Sequence, residues 1–332
     1  MTIILLALLA LLPGALLLYL ILYMDRNERE PAGLLLKTMA LGALGFIPAV
    51  LVETALDWIP VAHRGNIPAA LWDSFVRIAP VEELVKMAPV FLVAWGQKEF
   101  NEENDGIVYA GASALGFAAV ENLFYVLSRG FAVGVARAVT SLPLHCFAGV
   151  VMGYYIGRAR FAASGSGKLI ALGFLWAYLA HAAYDFLVLS KSLLALILLP
   201  MVASIVIIGL AVLRKGRAMS LARSPAQVAS GMPEAAPPDA AAAAGLPASA
   251  KARGKGKQGW KAAVGRVLLA LSALFWALLA VGLVQQAEPG VVLKALAGGA
   301  LITFVPVLIG VLLELSYQAG RRPARAAAPG NA

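Results

Sequence analysis

Seven ionisable residues sit inside stretches of sequence that are otherwise apolar, and their types suit acid–base, metal-ligating or proton-relay chemistry. Glu82 and Glu83 occur in Pro80-Val-Glu-Glu-Leu-Val-Lys86, and Glu121 in Gly116-Phe-Ala-Ala-Val-Glu-Asn122. His145 opens His-Cys-Phe-Ala-Gly149, and His181 with Asp185 brackets His-Ala-Ala-Tyr-Asp185. Carboxylates and imidazoles exchange protons near neutral pH and hold divalent cations. On a helix, Glu82 and Lys86 share a face and can pair, whereas Glu83 points about 100° away, which predicts separate roles for the two acids. His181 and Asp185 are also four apart, so the aspartate can orient one ring nitrogen and leave the other aimed at a reaction centre.

The elements that carry these residues are membrane spans. Of the 332 residues 61% are apolar and 14% charged, with a mean hydropathy of +0.82, too apolar for an ordinary soluble domain. A single cysteine excludes a disulfide scaffold and a CxxC zinc module. The net charge of +9 does not point to nucleic acid, because the basic residues punctuate apolar runs instead of forming a face. The fold class read from this pattern is all-α, a polytopic transmembrane bundle of about nine spans. They are placed at 2–23, 33–57, 69–95, 106–128, 137–157, 169–189, 193–213, 261–284 and 292–316. The first reads as an uncleaved helix, since no Lys or Arg precedes its apolar run and no small-residue cleavage site follows before Asp25. Basic loop residues set the orientation as N-out and C-in: Arg26, Arg29, Lys98, Arg158, Arg160, Lys168, Arg321, Arg322 and Arg325 then all fall inside. In that topology Glu121, His145 and His181 each lie about eight residues, or ~12 Å, below the outer surface, and Glu82 and Glu83 ~15–20 Å below it.

The chain divides into a helical core at 1–213, a disordered Ala/Pro/basic cytoplasmic linker at 214–260, an appended hairpin at 261–316 and a cytoplasmic tail at 317–332. Several features read as packing. Gly149, Gly153 and Gly157 continue the His145 face as a small-residue stripe that permits close helix approach. Phe117 is core, Cys146 an inert buried thiol, Asn122 a helix–helix hydrogen bond or a supporting partner, and Asp73 with Arg77 a rim ion pair.

In their order along the chain, E-E-x-x-K at 82–86, G-F-x-x-x-E-N at 116–122, H-x-x-x-G at 145–149 and H-x-x-x-D at 181–185 resemble the PrsW-type intramembrane proteases. So do Asp105-Gly-Ile-Val-Tyr-Ala110 and the early Asp25…Glu30-Pro31. The resemblance spans roughly residues 1–213, and the family is distantly similar to the CAAX prenyl proteases with their double-glutamate motif. It implies hydrolysis of a peptide bond in a membrane-anchored substrate near the extracytoplasmic side of a bacterial plasma membrane, such as the first cut in an anti-sigma factor. Asp185, in place of an asparagine, departs from the family pattern.

On that resemblance Glu82 takes the general acid–base role with Glu83 as its partner. Glu121, His145 and His181 hold a divalent metal, zinc by donor type, while Lys86, Asn122 and Asp185 support them. A metal-free glutamate protease stays open, with Glu82 and a histidine activating water and His181 with Asp185 stabilising the oxyanion. Two other classes compete. A proton- or cation-coupled transporter would use the same residue types but is expected to show paired halves, which the sequence lacks. An assembly factor would tolerate loss of Glu82.

Overall fold

The computed structural model describes residues 3–58 and 67–222, with isolated helical positions at 266, 269 and 273. In residues 3–58 and 67–222 ten α-helices follow in order: α1 Ile3–Met24, α2 Ala32–Leu44, α3 Phe46–Asp57, α4 Ile67–Trp72, α5 Ala79–Pro89, α6 Glu103–Arg129, α7 Phe131–Val139, α8 Ser141–Phe161, α9 Ser166–Leu189 and α10 Leu198–Ala222. Among the described residues, six stretches are long and apolar enough to cross a membrane: Ile3–Met24, Ala32–Asp57, Glu103–Arg129, Phe131–Phe161, Ser166–Leu189 and Leu193–Ala222. The expected span at 69–95 is helical throughout but composite, and the hairpin expected at 261–316 lies outside the described residues. The helix expected to end at 213 runs on to Ala222, because Arg214, Lys215 and Arg217 are good helix formers and Gly216 seats against Asn104. The rest of the expected linker is outside the described residues.

Prolines set the breaks. Pro48 and Pro143 each follow an interruption, at Gly45 and Thr140, because neither can donate to the carbonyl four residues back. Pro80 and Pro89 lie beside two widened π-helical turns, Asp73–Ile78 and Val90–Ala94, that flank α5. Side chains from neighbouring helices hold the first of these turns and α5 itself. Tyr178 of α9 donates to Phe75 O at 2.9 Å, and Ser113 of α6 to Lys86 O at 2.6 Å. α5 is thereby fixed between α6 and α9.

α6 is the central helix, buried along most of its length against α8, α2 and α1. Its approach to α8 depends on absent side chains. A Cβ on Gly153 would stand 2.2 Å from Gly106 O, and one on Gly157 1.9 Å from Glu103 O. The glycine stripe expected to pack therefore does so, against α6. Away from that core Leu36, Leu51, Leu92, Trp176 and Ile207 are exposed, as a lipid-facing surface requires.

Candidate active site

Four elements bring the polar side chains together. α5 contributes Glu82, Glu83 and Lys86, α6 Glu121 and Asn122, α8 His145, and α9 His181 and Asp185. Lys86, with no exposed surface, is the hub. Its Nζ lies 2.9 Å from Glu82 Oε2, 2.8 Å from Glu83 Oε1 and 2.9 Å from His145 Nδ1. An ammonium has three N–H bonds, and these three contacts use them. The ring of Phe117, the residue expected to be core, is 4.5 Å from the same nitrogen and adds a cation–π contact.

The two acids are less separate than a 100° offset suggests. Glu83 stands three residues before Lys86, a spacing that also shares a face, so both carboxylates turn inward. Glu83 Oε1 also lies 2.8 Å from His181 Nδ1, so Glu83 orients that ring, the part expected of Asp185. With Nδ1 donating there, His181 Nε2 presents a lone pair 3.7 Å from Glu82 Oε2 and 3.4 Å from Asp185 Oδ2. Three acceptor atoms thus face one another. The His145 and His181 rings meet edge to face at 4.9 Å.

His145 is held from its far side. Its Nε2 lies 3.0 Å from Glu121 Oε2, which is 2.7 Å from Arg137 Nη2 of α7. A carboxylate at that distance favours the tautomer with hydrogen on Nε2, leaving Nδ1 to accept from Lys86. Asn122 accepts from Arg137 Nε at 2.8 Å and donates to Ala10 O at 2.9 Å, so it fastens α1 and α7 to α6. Cys146 is buried and free, as expected, and Asp73 pairs with Arg77 at 2.8 Å.

Two participants escaped the sequence reading. Arg137 was hidden as the opening charge of an expected span. Glu53 of α3 interacts electrostatically with Glu82, Glu121 and Asp185 and has a buried Oε1 without a hydrogen bond. A charged residue within an apolar stretch was the available signal for both.

The donor set suits a divalent cation. Among the described residues, Glu82, His145 and His181 offer ligand atoms within 4.8 Å of one another, the His2Glu combination of catalytic zinc sites. Glu121, expected as a ligand, stands one step out, between His145 and Arg137. Charge points the same way. Glu82, Glu83, Glu121 and Asp185 surround Lys86 and Arg137, with Glu53 and Arg77 as a further acid and base beside them, and buried Glu83 Oε2 and Asp185 Oδ2 have no hydrogen-bond partner. Such an excess of buried acceptors calls for added protons or a cation.

Residues 30–212 match the family described as PrsW family intramembrane metalloprotease. Among curated relatives, Protease PrsW of Oceanobacillus iheyensis is 32% identical over 189 residues, which cover 57% of this chain and 86% of that protein. Protease PrsW of Geobacillus kaustophilus is 33% identical over 54% of this chain and 77% of the relative. The Bacillus subtilis protein of that name is 28% identical over 63% and 94%. No solved structure matches the chain.

Proposed function

The chain belongs to the PrsW family of intramembrane proteases and is a multi-pass protein of the bacterial membrane, and from that premise we propose that the Glu82–Lys86–His145–His181 cluster hydrolyses a peptide bond of a membrane-anchored substrate. Convergence of these four side chains from three helices in a buried pocket carries the reading. Glu82 takes a proton from the attacking water and returns it to the leaving amine. Glu83 holds His181 through Nδ1, so that its Nε2 faces Glu82 and the reacting carbonyl. Lys86 supplies a fixed positive charge beside the place where the oxyanion develops. Asp185 supports His181 from the next turn of α9.

In a metal-dependent version Glu82 would serve as a ligand instead of as the general base: with His145 and His181 it would hold a divalent cation, zinc by donor type, which when bound would supply Lewis acidity toward the scissile carbonyl. In the metal-free version added protons meet the excess of buried acceptors, and Glu82 keeps the general-base role. In the nine-span, N-out reading the site opens in the outer half of the bilayer, which suits a single-span substrate cut near its extracytoplasmic side, such as an anti-sigma factor. Within this reading residues 1–213 are the protease core and 261–316 an added hairpin. Co-expression with candidate single-span proteins tests it: wild type yields a membrane-dependent fragment and Glu82→Gln yields none. A solute flux in proteoliposomes with every substrate left intact would instead support a transporter.

A further inference from the structure

We propose that Arg137 is a positioning residue for the hydrolytic site, acting through Glu121 to fix the His145 ring. The inference rests on the protease reading and extends it to a residue that no motif contains.

Arg137 comes from α7, a nine-residue helix set between α6 and α8. Its guanidinium reaches two consecutive residues of α6 with separate nitrogens. Nη2 lies 2.7 Å from Glu121 Oε2, and Nε donates to Asn122 Oδ1 at 2.8 Å. The same group sits 4.1 Å from the centre of the Tyr125 ring, one turn further along α6. Asn122 is itself anchored to Ala10 O of α1. A planar fork held at two points and backed by an aromatic ring has one orientation, which a lysine ammonium cannot reproduce. The fork therefore sets where Glu121 Oε2 stands, and that oxygen is the one 3.0 Å from His145 Nε2.

The consequence lies across the ring. With Nε2 3.0 Å from Glu121 Oε2, within ion-pair range, His145 presents Nδ1 to Lys86 at 2.9 Å, inside the cluster with Glu82. Arg137 does no chemistry of its own there: it lies on the far side of Glu121 and is largely buried. Without the fork, Glu121 loses its ion-pair partner and its direction, and the imidazole loses the partner that fixes its plane. Loss of such an outer partner costs metal sites about 10–100-fold.

The test uses full-length protein in proteoliposomes with a single-span substrate cleaved by wild type. Arg137→Gln is expected to lower kcat by about 10–100-fold with KM unchanged. Arg137→Lys should recover part of that loss. Because Arg137 acts through Glu121, the double variant Arg137→Gln/Glu121→Gln should be no slower than Glu121→Gln alone. Added guanidinium ion should raise the kcat of Arg137→Ala and leave Glu121→Gln unmoved. Wild-type kcat in Arg137→Gln, multiplying losses in the double variant, or a loss in KM alone would overturn the proposal. Should Arg137→Gln fail to fold, Arg137→Lys carries the test, and a wild-type kcat there overturns it. Unimpaired cleavage by Glu82→Gln would instead remove the protease assignment, an outcome distinct from all of these.

Discussion

Adding one methyl group at Gly153 tests whether the α6–α8 contact sets the catalytic geometry. The new Cβ would stand 2.2 Å from Gly106 O and 2.8 Å from the Ala110 Cβ, whereas ordinary contact begins at 3.4 Å. The nearest obstacle is backbone, so the helices must part by about 1.2 Å at that level, the gap between 2.2 and 3.4 Å. His145 lies eight residues before Gly153 on α8, or ~12 Å along the axis, and bridges Glu121 of α6 to Lys86 of α5. A displacement of about 1 Å in a reacting geometry can cost ~100-fold in rate, and overpacking a close contact costs about 1–3 kcal/mol. Gly153→Ala should therefore lose about 10–100-fold in kcat and about 1–3 kcal/mol in stability. The assay is turnover of a single-span substrate in proteoliposomes beside thermal unfolding of the same preparation. Gly167→Ala is the control, since nothing lies within 4 Å of its Cβ position. Wild-type turnover and stability in Gly153→Ala would refute the reasoning.

Two further outcomes follow from other parts of the molecule. Asp25, just past α1, is 2% exposed, accepts from Asn104 Nδ2 at 2.6 Å, and is pushed up to about 8 by burial and by the nearby Glu30 and Glu102 charges. Its folded-state value is raised, so its stabilising contribution is complete below the ordinary carboxyl value of about 4. That contribution falls as pH rises and is gone above about 8. Amide protection in residues 25–31, relative to the unfolded chain, should fall between about pH 4 and 8 and level off above 8, and Asp25→Asn should flatten that fall; an identical profile in the variant would count against it. Secondly, protein purified without chelator should retain a divalent cation that His181→Ala loses. Full activity after exhaustive demetallation would remove the cation from the account.

What the sequence made legible was local to single helices. The Glu82–Lys86 pair and the Asp73–Arg77 pair follow from four-residue spacing, and the direction of the glycine stripe below His145 follows from the same periodicity. The expected spans at 2–23, 33–57, 106–128 and 169–189 match helices within a few residues. What stayed hidden depends on contacts between helices. Glu83 reaches His181 because α5 is held between α9, at the widened turn before it, and α6, at Lys86 O, and no spacing within α5 encodes that partner. Arg137 reaches Glu121 because the chain breaks at Thr140, before Pro143, which makes α7 a separate short helix. A continuous 137–157 span places that arginine at a membrane edge instead of against the site.

The central claim is that a buried carboxylate at position 82, set beside two imidazoles and an ammonium, carries out peptide-bond hydrolysis. Turnover of a purified single-span substrate by wild type and by Glu82→Gln, reconstituted at equal amounts with matching thermal unfolding, addresses it directly. The account predicts a loss in kcat of about 1,000-fold or more in the variant, since the general-base contribution alone is worth ~100–10,000-fold. Cleavage by Glu82→Gln at the wild-type rate would contradict it.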